Sequence, residues 1–215
     1  MVAFLVIVEL SGRVSEPFAP VFLVLRVIAP LGLFLYFALR GEYPELRGAR
    51  AIGLAGAALW MAPFLFWDSL RPRDHGFDVG QLGPGGEWLA QTLRAIGYVG
   101  VTPFVEELFV RSWLLRYVDV AETRKPFRTV PIGRFSWRSF LIVTLWFVYS
   151  HLQWEWGVMF AWTLLTMAWF YQRKHIAPLV LVHAVSNGAI FAFVVAFDRI
   201  FRDAAGAPIS LWFFL

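Results

Sequence analysis

Long apolar runs alternate with short polar stretches along the chain. About six of these runs approach the roughly 20 residues that a membrane-spanning helix needs, and clusters of charged residues or of Gly and Pro separate them. The predicted crossings are residues 20–39, 51–67, 88–118, 138–153, 157–172 and 176–197. The pattern therefore predicts an all-α fold, a polytopic integral membrane helical bundle with about six transmembrane helices and a range of roughly 6–8.

Two stretches depart from the simple pattern of one run and one helix. Residues 88–118 are too long for one straight crossing and contain Gly97, Gly100 and Pro103 near their middle, which predicts a kink or break near Pro103. The polar stretch 68–87 includes Gly83, Pro84, Gly85 and Gly86 in succession, a sequence typical of a loop. The chain has no internal repeat and no long linker, so residues 1–215 are predicted to form a single membrane domain.

Composition supports the membrane interpretation and removes several classes of function. Of the 215 residues, 59% are hydrophobic and 16% charged, whereas soluble domains have about 45–50% and about 25%. The absence of cysteine excludes a thiolate nucleophile and a cysteine-based metal site. A net charge of +4 could suit nucleic acid. The basic residues are instead scattered between apolar runs, as the positive-inside rule predicts, so the expected surroundings are the lipid bilayer, with no nucleic acid partner.

Ionisable side chains inside the predicted crossings are candidates for function, because each costs about 2.5–3.5 kcal/mol at the middle of a membrane helix. Glu107 and Arg111 are four residues apart and are predicted to pair on one helix face. Glu106 points about 100° away from that face and is left to meet another group. The alternative is that both glutamates only hold neighbouring helices together through hydrogen bonds.

Two further polar spacings occur in later crossings. Phe147 precedes His151 by about one turn, and His183 precedes Asn187 by four residues. Counted from the predicted helix ends at 1.5 Å per residue, Glu106, His151 and Asn187 lie roughly 17–20 Å deep and His183 about 11 Å. A buried histidine bonded to a backbone carbonyl and a polar pair between helices are the structural alternatives. A similar depth favours one catalytic chamber.

These side chains match the requirements for hydrolysis of a peptide bond. Glu106 and His151 can take a proton from water, while N–H groups of His183 and Asn187 can stabilise the oxyanion. The sequence lacks G-x-S-x-G and H-E-x-x-H, and its aspartates fall in loops or at helix ends. A zinc site formed by Glu106, His151 and His183 is chemically allowed, but water activation without a metal is favoured and no cofactor is expected.

Three motifs carry a family resemblance: E-E-x-x-x-R at 106–111, F-x-x-x-H at 147–151 and H-x-x-x-N at 183–187. In this order they resemble the CPBP, or ABI, family of glutamate-type intramembrane proteases, which process CAAX proteins and bacteriocins. The resemblance implies an all-helical membrane fold with a catalytic core at 88–197. It also implies roles for seven residues: Glu106 and His151 activate water, His183 and Asn187 hold the oxyanion, and Glu107, Arg111 and Phe147 support the site.

A narrower resemblance concerns residues 111–117 and 132–137, which are similar to bacterial CAAX prenyl protease-related proteins of exosortase sorting systems. It implies a multi-pass protein of the bacterial cytoplasmic (inner) membrane.

The leading hypothesis is an intramembrane endopeptidase acting on a membrane-associated protein or peptide. A proton-coupled transporter or channel is one alternative, because Glu and His also relay protons in membranes. A non-catalytic immunity or scaffold protein is another, although none of the motif positions is altered here.

Overall fold

A computed structural model of the chain describes residues 51–72 and 82–215, together with the helical residues 25, 28–30, 32–33 and 36. The predicted crossing at 20–39 therefore lies largely outside the described residues. The described α-helices are α1 Ala51–Phe66, α2 Gly83–Arg94, α3 Thr102–Glu107, α4 Leu115–Val120, α5 Trp137–Tyr149, α6 Trp156–Arg173 and α7 Ile176–Phe197. Over this part of the chain there are helices and no strands, which confirms the all-α prediction.

Among the described residues, one helix is long and apolar enough to span a membrane. Helix α7 has 22 residues and a mean hydropathy of 2.1, and its most apolar window is 44% buried within the protein. Residues Ile52–Phe66 of α1 and all of α5 are apolar but shorter. The helical bundle is therefore observed, while the number of crossings stays a prediction.

Helices α2, α3 and α4 join into one uninterrupted helical run through two π-helical segments, Ala95–Val101 and Leu108–Leu114. Pro103 lies in the first turn of α3, immediately after the first π segment. The wider π turn accommodates the proline there: the N–H of Thr102 reaches back to the carbonyl of Gly97. The irregularity predicted near Pro103 is thus a change of helix type, and the chain does not leave the helix.

The glycine-rich cluster at 83–86 is helical, so the loop prediction for these residues is wrong. Gly83 has a φ of +69°, which turns the chain into α2, and Pro84 occupies the first helical turn. A proline at this position has no N–H to leave unsatisfied and already has a helical φ. The cluster therefore starts the helix that leads to the two glutamates.

Helix α1 approaches α7 closely because it has glycines where the two helices meet. A Cβ atom at Gly53 would lie 2.5 Å from the Cβ of Val185, and one at Gly56 would lie 2.6 Å from Oγ of Ser186. The Ser186 hydroxyl donates a hydrogen bond of 2.7 Å to the carbonyl of Gly53. Small residues that allow such close approach are typical of membrane helix packing, and here they fix the position of α7.

Candidate active site

The four predicted catalytic side chains line one cavity of about 190 Å³. Glu106 comes from α3, His183 and Asn187 from α7, and His151 from the connection between α5 and α6. Segments 32 to 77 residues apart in sequence therefore contribute to one partly enclosed space. This is the arrangement that one catalytic chamber needs and that scattered structural polar residues do not.

The two adjacent glutamates have different environments, as their position on the helix predicts. Glu107 and Arg111 are fully buried, and Nε of Arg111 lies 3.3 Å from Oε2 of Glu107. The Glu106 side chain is 24% exposed and faces the cavity. One carboxylate is thus held in an internal ion pair, and the other remains available for chemistry.

His183 lies between the two glutamates. Its Nδ1 is 3.1 Å from Oε1 of Glu107, and its Nε2 is 4.0 Å from Oε2 of Glu106. A carboxylate accepts hydrogen bonds, so Nδ1 carries the proton in the bond to Glu107. Nε2 is then the ring atom that faces Glu106.

His151 lies beyond the end of α5, so its prediction as part of a helical crossing is wrong. The helix ends at Tyr149 because the Ser150 hydroxyl and Nδ1 of His151 both bond the carbonyl of Phe147, each at 2.8 Å. The carbonyl can only accept, so Nδ1 carries a proton and the neutral ring has its lone pair on Nε2. This side chain is oriented by the helix end that it caps.

Phe147 connects the second motif to the first. Its ring centre lies 5.1 Å from that of His151, nearly perpendicular, and 4.8 Å from the guanidinium carbon of Arg111. The ring is almost completely buried. Phe147 therefore packs against both the capped histidine and the buried cation, which gives the F-x-x-x-H spacing a physical reason.

Asn187 is oriented by the backbone of the first π segment. Its Nδ2 donates a hydrogen bond of 2.8 Å to the carbonyl of Tyr98. An amide nitrogen has two N–H groups, so this bond uses one and leaves one. Because π turns alter the backbone pairing of a helix, they often occur at functional sites, and here the Tyr98 carbonyl accepts from a side chain of another helix.

Helix α6 contributes two residues that sequence reasoning missed. Trp162 packs 4.9 Å from the His183 ring, and the Thr166 hydroxyl accepts a bond of 3.0 Å from Arg111. The same hydroxyl donates to the carbonyl of Trp162 at 2.9 Å. The signal available in the sequence was two threonines, Thr163 and Thr166, in an otherwise apolar helix. They indicate a polar neighbour but not its identity.

Glu155 is a second glutamate that lines the cavity beside Glu106, and the motifs do not include it. It lies four residues after His151, and Oε2 accepts the N–H of Leu152 at 3.0 Å. Burial is the largest influence on its carboxyl and raises the pKa above the usual range, although the Leu152 N–H and His151 act in the opposite direction. Glu155 thus closes the turn that follows His151.

The candidate zinc ligands Glu106, His151 and His183 share the cavity, and each ring keeps one nitrogen that could bind a metal while the other is hydrogen-bonded. Nδ1 of His151 is bonded to Phe147 and Nδ1 of His183 to Glu107, leaving one nitrogen on each ring. In the part of the chain that the structure describes, no group of three or more His, Asp or Glu side chains is arranged to hold a metal ion. Water activation without a metal therefore stays a prediction, and Nε2 of each ring is the atom that would bind a metal.

Part of the chain matches a known protein family. Residues 88–189 match the family model described as type II CAAX prenyl endopeptidase Rce1-like. The matched region begins in α2, ends in α7 and includes all three motifs. No curated protein and no solved structure matches the chain. The match supports the broad family resemblance, and the exosortase-associated subgroup stays a prediction.

Proposed function

We propose that this chain, whose residues 88–189 match the family model of type II CAAX prenyl endopeptidase Rce1-like proteins, is an intramembrane endopeptidase of the CPBP family and of the glutamate type. Its substrate would be a membrane-associated protein or peptide. The observation that carries the proposal is the single cavity lined by Glu106, His151, His183 and Asn187. Family membership supports a peptidase, and the geometry supports the assignment of roles.

In the proposed reaction, Glu106 and His151 act on a water molecule. The Glu106 carboxylate and the free Nε2 of His151 take up its proton, and the oxygen attacks the carbonyl carbon of the scissile bond. The C–N bond of the tetrahedral intermediate then breaks, and the leaving amine receives the proton. Water supplies the new carboxylate oxygen, so the step needs no other reactant.

Stabilisation of the oxyanion of the intermediate is assigned to two side chains of α7. Asn187 has a second N–H that is not used by Tyr98 and that can donate to the oxyanion. Nε2 of His183 lines the same cavity, and it donates when a proton occupies this nitrogen as well as the Nδ1 that bonds Glu107. Preorganised donors of this kind stabilise negative charge as it develops. The buried pair of Glu107 and Arg111 supports the site by holding Nδ1 of His183.

The protein is proposed to be a multi-pass protein of the bacterial inner membrane. The composition, the apolar helix α7 and the family of integral membrane proteins support a membrane location. Loops rich in Arg and Lys support more than one crossing. The substrate is then a chain held in, or at the surface of, the same bilayer.

Replacement of His151 by Ala is expected to lower peptide cleavage by about 10²–10⁴-fold, because it removes a proton acceptor from the cavity. The measurement is release of a fluorescent product in liposomes from a library of membrane-anchored peptides. His175→Ala is the matched control, since His175 is exposed at the start of α7 and is absent from the cavity lining. Full cleavage by His151→Ala would contradict the mechanism. Proton flux without any peptide product would favour the transporter alternative.

Removal of divalent metal is expected to leave cleavage unchanged, because the proposed steps use only carboxylate and imidazole groups. The protein is dialysed against a strong zinc chelator, analysed for metal and assayed with the same peptides. Loss of activity that returns with added Zn²⁺ would instead support a site formed by Glu106, His151 and His183.

A further inference from the structure

Residues 213–215, which lie outside all three motifs, form part of the cavity lining beside Glu106 and His151. We refer to them as the apolar wall. They follow α7 after a return of the chain, in which the N–H of Arg199 donates to the carbonyl of Ile209 at 3.0 Å. The return places a segment distant from the glutamates in sequence at the site of the proposed reaction.

The apolar wall is a fixed part of the fold. The Asp198 carboxylate at the end of α7 accepts the N–H of Leu211 at 2.7 Å and the hydroxyl of Ser210 at 3.3 Å. Leu211 and Trp212 are buried immediately before the wall. These bonds and this burial hold the segment in position. The rings of Phe213 and Phe214 therefore form one side of the cavity and do not fill it.

Aromatic packing sets the position of the two wall rings. Phe64 of α1 meets Phe214 at 5.9 Å between ring centres, and Trp154 meets Phe213 at 5.7 Å. The Tyr98 hydroxyl also lies 3.5 Å from the carbonyl of Phe214. Tyr98 therefore contacts both the wall and, through its own carbonyl, Asn187.

The cavity has two chemically different parts. Among the described residues, the ionisable side chains of its lining are Glu106, His151, His183, Glu155 and the phenol of Tyr98, whereas the remaining lining is largely aromatic and aliphatic. At about 190 Å³ the cavity is smaller than the roughly 300–1,000 Å³ of pockets that take drug-sized ligands. Once a scissile bond lies beside Glu106 and His151, the apolar part has room for little more than one flanking side chain.

We propose that Phe213 and Phe214 are specificity-determining residues, which limit the size of the apolar side chain accepted next to the scissile bond. This inference rests on the proposed function, and it names the substrate class as peptides with a small apolar residue at that position. A hydrophobic pocket discriminates by size, because one methylene more or less on the substrate side chain changes kcat/KM by about 10–200-fold. Removing a ring enlarges the pocket and therefore admits a larger side chain.

The test compares full-length wild type with Phe213→Ala and Phe214→Ala in liposomes. The probes are peptides of one cleaved sequence, carrying Ala, Val, Leu or Phe on either side of the cut. In Phe213→Ala, we expect the ratio of kcat/KM for the Phe peptide to that for the Ala peptide to rise at least about tenfold over wild type. The rise should come mainly from a lower KM for the Phe peptide. Phe201→Ala is the matched control, since Phe201 lies in the same return and packs on Phe193, away from the cavity lining.

The other outcomes have distinct meanings. An unchanged preference, with all peptides slowed in parallel as in Phe201→Ala, would show a structural role alone and overturn the inference. Faster cleavage of every peptide would mean that the wall blocks the site, which also overturns it. If wild type cleaves no peptide, the proposed function fails. Binding of the same peptides is then measured for Glu106→Gln with and without Phe213→Ala. An equal change in Kd for the Ala peptide and the Phe peptide would overturn the proposed size limit.

Discussion

Glu106→Gln is expected to lower peptide cleavage by about 10²–10⁴-fold while the protein still inserts and folds. Gln is nearly the same size as Glu and can keep hydrogen bonds, but it cannot take a proton from water. Glu106 is only partly buried, and Nε2 of His183 lies 4.0 Å from its Oε2, so the change removes little packing. Single-turnover cleavage in liposomes measures the chemical step, and thermal melting in detergent checks the fold.

The matched control for Glu106→Gln is Glu122→Gln. Glu122 lies in the loop after α4, is 75% exposed, pairs with Arg138 of α5 and is absent from the cavity lining. Cleavage by this variant should equal that of wild type. Cleavage by Glu106→Gln within about threefold of wild type would contradict its role, because general base catalysis contributes at least about a hundredfold. The base would then have to be sought in Glu155, the other glutamate among the described residues that line the cavity.

Sequence reasoning predicted well what local patterns determine. The apolar run 176–197 has the bounds of α7, and the run 157–172 differs from α6 by one residue at each end. The four-residue spacing of Glu107 and Arg111 correctly predicted their ion pair. These features depend on helical periodicity and on the cost of charge in an apolar helix, which are both readable from a single segment.

Features that depend on contacts between distant segments could not be predicted. One local feature was missed as well: α5 ends before His151, where the Ser150 hydroxyl and Nδ1 of His151 both donate to the carbonyl of Phe147. The π segments that present the Tyr98 carbonyl have no clear sequence signature. Trp162 and residues 213–215 belong to stretches that look uniformly apolar, and only the fold brings them to His183 and to the cavity.

Arg111→Ala is expected to destabilise the protein by about 3–5 kcal/mol, because it leaves a buried carboxylate without its cation. Glu107 and Arg111 are both fully buried, so water cannot replace the lost partner. The Thr166 hydroxyl would lose its donor, and the Phe147 ring would face a void. In chains of this size 1 kcal/mol moves Tm by about 2–4 °C, so a fall of roughly 6–20 °C is expected in thermal melting.

Two comparisons separate the buried charge from other effects of Arg111→Ala. Arg138→Ala breaks the exposed pair with Glu122 and should change stability by no more than about 1 kcal/mol. The double variant Glu107→Gln, Arg111→Met removes both buried charges at similar volume and should recover part of the lost stability. Its cleavage should remain low, because the neutral amide of Gln holds Nδ1 of His183 more weakly than the Glu107 carboxylate does. A double variant that melts below Arg111→Ala would instead mean that the unpaired carboxylate is not the source of the loss, and that packing of the guanidinium against Phe147 stabilises this region.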